Sequence, residues 1–181
     1  YKKYVEFHFK KRNYNLAIYM ANLALKFRTE DRDLMKMVYK SILRTTPEST
    51  HIPIMNKLLV FPEFKEMILK RLYPILIAAG DFNEANYRIE ELLTIYKNSE
   101  TKEAIRNIEV LRVEKVKLYI KDKKLVEAES IIKTELAKVP ESPIWNKLNQ
   151  DLKYIKETTY RPYYYYATNS PEEKEESGEK K

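Results

Sequence analysis

The chain has 181 residues and a formal net charge of +7, with 34 Lys and Arg against 27 Asp and Glu, no cysteine and only two glycines, Gly80 and Gly178. That length suits one compact domain or a short repeat array. The lack of cysteine excludes disulfides, thiolate metal sites and cysteine nucleophiles, and the scarcity of glycine argues against tight hairpins and phosphate-cradling loops.

Leu, Ile, Lys, Glu and Ala recur at three- and four-residue spacing over long stretches, which predicts helices throughout and little or no sheet. In chain order the helices are expected near 2–11 and 14–29, 31–45 and 53–61, 63–79 and 82–97, 100–121 and 124–138, then 143–158. Pro62 and Pro143 suit first helical positions, with Ser142 placed to cap the last helix. Pro74, inside Leu72-Tyr73-Pro74-Ile75-Leu76, predicts a kink or break. The last helix carries a stripe of Ile144, Trp145, Leu148, Leu152 and Ile155, as a terminal cap should. Past Thr158 the pattern fails. Tyr163 to Tyr166 is aromatic without a helical period, and Ser170 to Lys181 is too polar to fold. The division expected is a helical domain over 1–158 and a Tyr-rich segment with a disordered tail over 159–181. No apolar run approaches the ~20 residues of a membrane span. The start at Tyr1 rather than Met is what a piece of a longer protein would show, and nothing indicates a compartment.

Three segments read almost alike: Arg12-Asn13-Tyr14-Asn15-Leu16-Ala17-Ile18, Gly80-Asp81-Phe82-Asn83-Glu84-Ala85-Asn86 and Lys123-Lys124-Leu125-Val126-Glu127-Ala128-Glu129. Each has a polar turn, a large apolar residue, two intervening residues and an alanine opening a helix. This resembles the turn and second helix of a tetratricopeptide repeat, whose period is about 34 residues. Tyr14 and Phe82 are 68 apart, two periods, and a degenerate copy between them has Thr46 to Thr50 as its turn and His51 in the alanine's place. Its apolar positions survive as Val38, Ile42, Met55, Leu58 and Leu59. Phe82 to Leu125 is 43 residues, a surplus read as a longer first helix or a longer loop near Asn98 to Ile108. The resemblance covers about residues 1–142. It implies an all-α, right-handed solenoid of about four antiparallel helix pairs plus a C-terminal capping helix and a disordered tail.

The same resemblance implies a partner-binding groove lined by first helices. Its candidates are Glu6, Phe9 and Lys10; Lys36, Lys40 and Leu43; Lys70, Ile77 and Ala78; and Val113, Lys117, Ile120 and Lys121. Lysine among aliphatic carbon suits an extended or helical peptide of some acidity. The family's carboxylate-gripping asparagine would fall at Glu6, Lys40, Pro74 and Lys117, so that mode is not expected. Tyr163, Tyr164, Tyr165 and Tyr166 either fold back over the last helix or form a second contact. His8 and His51 read as structural or solvent-exposed, since Glu6 and His8 point to different sides of a helix. Carboxylate pairs such as Glu90/Glu91 and Glu127/Glu129 read as polar faces. No catalytic, metal or cofactor residue is assigned.

The expected function is a non-enzymatic protein-interaction scaffold or assembly module, binding a protein or peptide partner. The alternatives are a basic helical nucleic-acid-binding domain and a regulatory domain of a larger enzyme. Residues 1–60 hold 12 Lys and Arg against 5 acids, while 61–160 hold 18 against 17, so the even charge of the body speaks against nucleic acid.

Overall fold

The computed structural model describes residues 1–26 and 31–168, with side chains described as far as residue 159. The described residues are helical, without a strand, as the periodicity predicts. They fall into two compact units, Tyr1–Leu118 and Tyr119–Lys181.

The first unit contains α1 (Lys2–Lys10), α2 (Tyr14–Ala24), α3 (Arg32–Ile42), a 3-10 turn (Ser49–His51) leading into α4 (Ile52–Leu58), α5 (Pro62–Ala79) and α6 (Phe82–Lys97). Most of α7 (Lys102–Lys121) follows, its last residues belonging to the second unit. Between Phe82 and Leu125 the 20-residue α7 takes up most of the chain that follows α6, with a short connection before it. Asp31 and Asp81 cap α3 and α6, accepting from Leu34 N at 3.1 Å and Glu84 N at 3.3 Å, and Pro62 opens α5 where no N–H is needed.

Packing follows the amphipathic stripes. Helix α1 lies against α2 and α3, α2 against α3 and α4, and α5 against α4 and α6. Val5, Ala17, Val38, Met55, Leu58, Ile68, Leu72, Ile89 and Leu92 are fully buried. Each large aliphatic among them is worth about 1.5–3 kcal/mol relative to exposure.

Ion pairs fix the sense of the helices. Lys2 on α1 meets Asp31 at the start of α3, 2.9 Å away, and Arg32 on α3 meets Glu63 at the start of α5, 2.6 Å away. At the opposite ends, the Arg44 guanidinium just past α3 lies over the Phe9 ring of α1, and Arg71 of α5 donates to the carbonyls that end α3. Helices α1, α3 and α5 therefore run parallel. Tyr96 near the end of α6 donates to Glu66 near the start of α5, so these two are antiparallel.

Pro74 does not break α5, which runs from Pro62 to Ala79. An interior proline costs roughly 3 kcal/mol. Here Leu72, Ile75 and Leu76 are buried around it and hold the helix through that position. Helices α2 and α3 end earlier than expected, at Ala24 and Ile42, and the expected end of α2 at 29 lies outside the described residues.

In the second unit α8 (Leu125–Lys138) packs against α9 (Pro143–Thr168). Ala128 and Ile132 are buried on α8, and Trp145, Leu148 and Leu152 on α9. Ile144, expected on that stripe, is half exposed because it sits one residue, about 100°, off the 145-148-152 line. The last helix continues ten residues past 158. Tyr163 to Tyr166 thus belong to a helix and do not fold back over Trp145; their side chains, and the tail from 169 on, lie outside what is described.

Candidate functional site

The three look-alike segments fold into one turn repeated three times. Arg12, Gly80 and Lys123 adopt left-handed φ values of 60°, 80° and 59°. The next residue in each donates to the carbonyl five positions back: Asn13 to His8 at 2.9 Å, Asp81 to Leu76 at 2.9 Å and Lys124 to Tyr119 at 2.8 Å. That bond satisfies a carbonyl orphaned at the helix end. The same residues then enter the next helix with φ and ψ of −85° and 68°, −84° and 70°, and −85° and 65°. Ala17, Ala85 and Ala128 follow four residues on, each fully buried, and so are Ala21, Ile89 and Ile132 one turn later.

The fourth segment departs from this. A 3-10 turn replaces the left-handed residue, and His51 is buried where the alanine would be. Burial lowers the His51 pKa, against the pull of Glu48. Arg71 reaches across from α5, donating to Ile42 O at 3.0 Å, Leu43 O at 3.0 Å and Thr45 O at 3.1 Å.

The candidate groove residues are of unequal use. Lys10, Lys36, Lys40, Lys117 and Lys121 are exposed, whereas Glu6, Phe9, Ile77 and Val113 are half-buried. Lys117 is paired with Glu114 at 2.8 Å. Lys70 is committed within the fold: its Nζ lies 2.8 Å from Glu66 and 5.5 Å from the centre of the Tyr96 ring, and Tyr96 donates to Glu66 at 2.7 Å. Burial works against its charge, but the hydrogen bonds to Glu66 and Tyr96 prevail and raise its pKa. With Arg71, Pro74, Ala78, Pro47 and Glu48 it lines a depression of about 670 Å³.

Phe9 and Lys10 are drawn into a different place, with three residues that the sequence did not single out for binding. The Arg44 guanidinium sits 5.7 Å from the Phe9 ring centre and 5.5 Å from that of Tyr14, and those rings meet edge-on at 5.9 Å. Two adjoining depressions, about 530 and 600 Å³, share Arg12, Tyr14 and Arg44 in their walls. Arg12 and Arg44 are 32 positions apart, so only the parallel stacking of α1 on α3 could have revealed the cluster.

A second surface is aromatic. Tyr1, Tyr4 and Phe7, spaced by three along α1, are all more than half exposed. His8 is half-buried with its ring edge-on to Phe7 at 5.2 Å. No group of His, Asp and Glu among the described residues is arranged to hold a metal ion. No described helix is long and apolar enough to cross a membrane.

No protein-family model matches this chain, and searches of characterised proteins and of solved structures likewise return no match.

Proposed function

We propose that the chain is an interaction module built of degenerate tetratricopeptide-like helix pairs, stacked as a right-handed solenoid, that binds a protein or peptide partner without chemical turnover. The observation that carries this reading is the recurrence of one turn geometry at Arg12, Gly80 and Lys123, each followed by a buried alanine. The parallel run of α1, α3 and α5 supports it, because stacked hairpins bring successive first helices side by side and leave their outer residues as a shared surface. Repeat arrays of this kind offer an extended frame on which exposed side chains set the specificity.

Lys36 and Lys40, one turn apart on α3, are exposed and make no ion pair closer than 4 Å among the described residues. They are cleaner probes than Lys70, whose reversal to Glu would set a second carboxylate against Glu66. Affinity capture from a native lysate should therefore be run with wild type and with Lys36→Glu/Lys40→Glu, whose helicity and melting temperature should be unchanged. The expected result is a specific protein retained by wild type at moderate salt and lost by the variant. Equal capture by both would overturn the groove assignment. The cation excess in residues 1–60 keeps a nucleic-acid reading in the same experiment: recovery of generic RNA or DNA, falling steeply with salt, would replace the proposal.

A further inference from the structure

The cluster at the ends of α1 and α3 has the features of a prepared anion-binding pocket. Arg44 is held by two aromatic faces, an arrangement that fixes a guanidinium without using its N–H donors. Among the described residues it donates to no carboxylate, and neither do Lys10 and Arg12 beside it. The remaining charged wall is Glu48, so cations dominate. The first turn of α2, Tyr14, Asn15 and Leu16, forms part of the same wall, and Asn13 provides no side-chain cap for the 11-residue helix.

We infer that this pocket, formed by Phe9, Lys10, Arg12, Tyr14 and Arg44, binds the carboxylates of an acidic segment of a partner protein. The inference rests on the reading of the chain as an interaction module and gives that module a chemical class of partner. A planar guanidinium fork and a helix N-terminus both suit carboxylate oxygens, and charge-assisted bonds of this type are roughly twice as strong as neutral ones. The shape favours a peptide over a nucleic acid. Lys10, Arg12 and Arg44 gather around two adjoining open depressions, with Glu48 on the wall, rather than forming a track for successive phosphates. Phe9 and Tyr14 are half-buried and turned to Arg44, so they do not offer a platform for bases.

Arg12 supplies an unusually clean test. Its φ of 60° favours glycine, so Arg12→Gly removes the charge while relieving backbone strain, and its melting temperature should match or exceed that of wild type. Arg44→Gln removes the fork. Fluorescence anisotropy with labelled hexaglutamate, hexaglutamine and oligothymidylate should show hexaglutamate bound by wild type and hexaglutamine not bound. Each variant should weaken hexaglutamate about tenfold or more, the loss of one charged contact. Lys36→Glu/Lys40→Glu should leave hexaglutamate binding nearly intact. The inference is overturned by any of four results: no hexaglutamate binding by wild type, equal binding of hexaglutamine, unchanged affinity in Arg12→Gly and Arg44→Gln, or preference for oligothymidylate. Lysate capture that depends on Lys36 and Lys40, without hexaglutamate binding, would remove this pocket and leave the module standing. Hexaglutamate binding without such capture would keep this pocket and remove the groove assignment at Lys36 and Lys40.

Discussion

The turn at Gly80 and the turn between Thr45 and His51 both reverse the chain between helices, and they finish the preceding helix in opposite ways. At Gly80 the solution is local: a left-handed residue lets Asp81 N–H fold back onto Leu76 O, and the orphan carbonyl is satisfied within six residues. The segment after α3 has no left-handed residue. Its carbonyls at Ile42, Leu43 and Thr45 accept from Arg71, 26 to 29 positions away on α5, and Ile42 O also accepts from the backbone N–H and hydroxyl of Thr45. A helix end that abandons the repeat's turn must find donors elsewhere, and a guanidinium with its fixed fork can serve three acceptors at once.

The largest test of this contrast is Arg71→Met, which keeps the aliphatic bulk and removes the fork. Three part-buried acceptors lose a charged donor, and hydrogen bonds to charged groups are worth about 1.5–3 kcal/mol. Since water can reach some of them, we expect a loss of about 2–3 kcal/mol in chemical denaturation. Arg71→Lys should recover only part of it, because one ammonium cannot span the same three carbonyls. A loss under about 0.5 kcal/mol for Arg71→Met would mean that the α3 end is solvated and that Arg71 is incidental to the turn.

The local turns give a smaller and signed effect. Around Gly80 nothing lies within 4 Å of an added Cβ, so Gly80→Ala tests backbone strain alone. It should destabilise by about 1 kcal/mol. Lys123→Gly at the matching position should move the other way, by less than about 1 kcal/mol, since relief of strain is partly offset by the greater freedom of glycine in the unfolded chain. If both substitutions destabilise equally, the two turns are not equivalent in energy although both residues are left-handed.

Much of this was legible beforehand, and the reason lies in the range of the forces involved. Helix positions follow from i, i+3, i+4 spacing, so α5 through α8 begin and end within two residues of their expected places. Turn chemistry is equally local, and the motif at Arg12, Gly80 and Lys123 could be read from the polar pair, the apolar residue and the alanine. Pro74 does not break the helix expected over 63–79, its local penalty being overridden by the burial of Leu72, Ile75 and Leu76. Residues 159–168 misled because tyrosine has no strong aversion to helix, and an aromatic run without a helical period was taken for the absence of one. For the site, exposure of Lys10, Lys36 and Lys40 follows from their helix faces. The approach of Tyr96 to Glu66 and Lys70, and the meeting of Arg44 with Phe9 and Tyr14, depend on which helices pack together. Glu66 and Lys70 are four apart on one helix, a spacing that would have warned that this lysine is occupied.

The smallest expected effect lies in the imidazole that fills the alanine's place in the divergent turn. His51 is only 5% exposed, and burial lowers its pKa below the ordinary 6.5, with Glu48 opposing. The unfolded chain therefore takes up a proton at His51 more readily than the folded one. Protonation favours unfolding, so stability from this residue is complete above about pH 6.5, declines as pH falls through the window between 6.5 and the folded value, and changes no further below it. Urea titrations between pH 7.5 and 5 should show wild type losing stability across that window and His51→Gln losing less. Glu129, held at a pKa of about 2 by Lys156 and Lys133, stays ionised in the folded chain over this range, and what it adds to the slope near pH 5, where the unfolded carboxyl begins to protonate, is common to wild type and His51→Gln. Parallel curves for wild type and His51→Gln would show that the imidazole gains water when the fourth turn is protonated, and that this turn is looser than the three built on alanine.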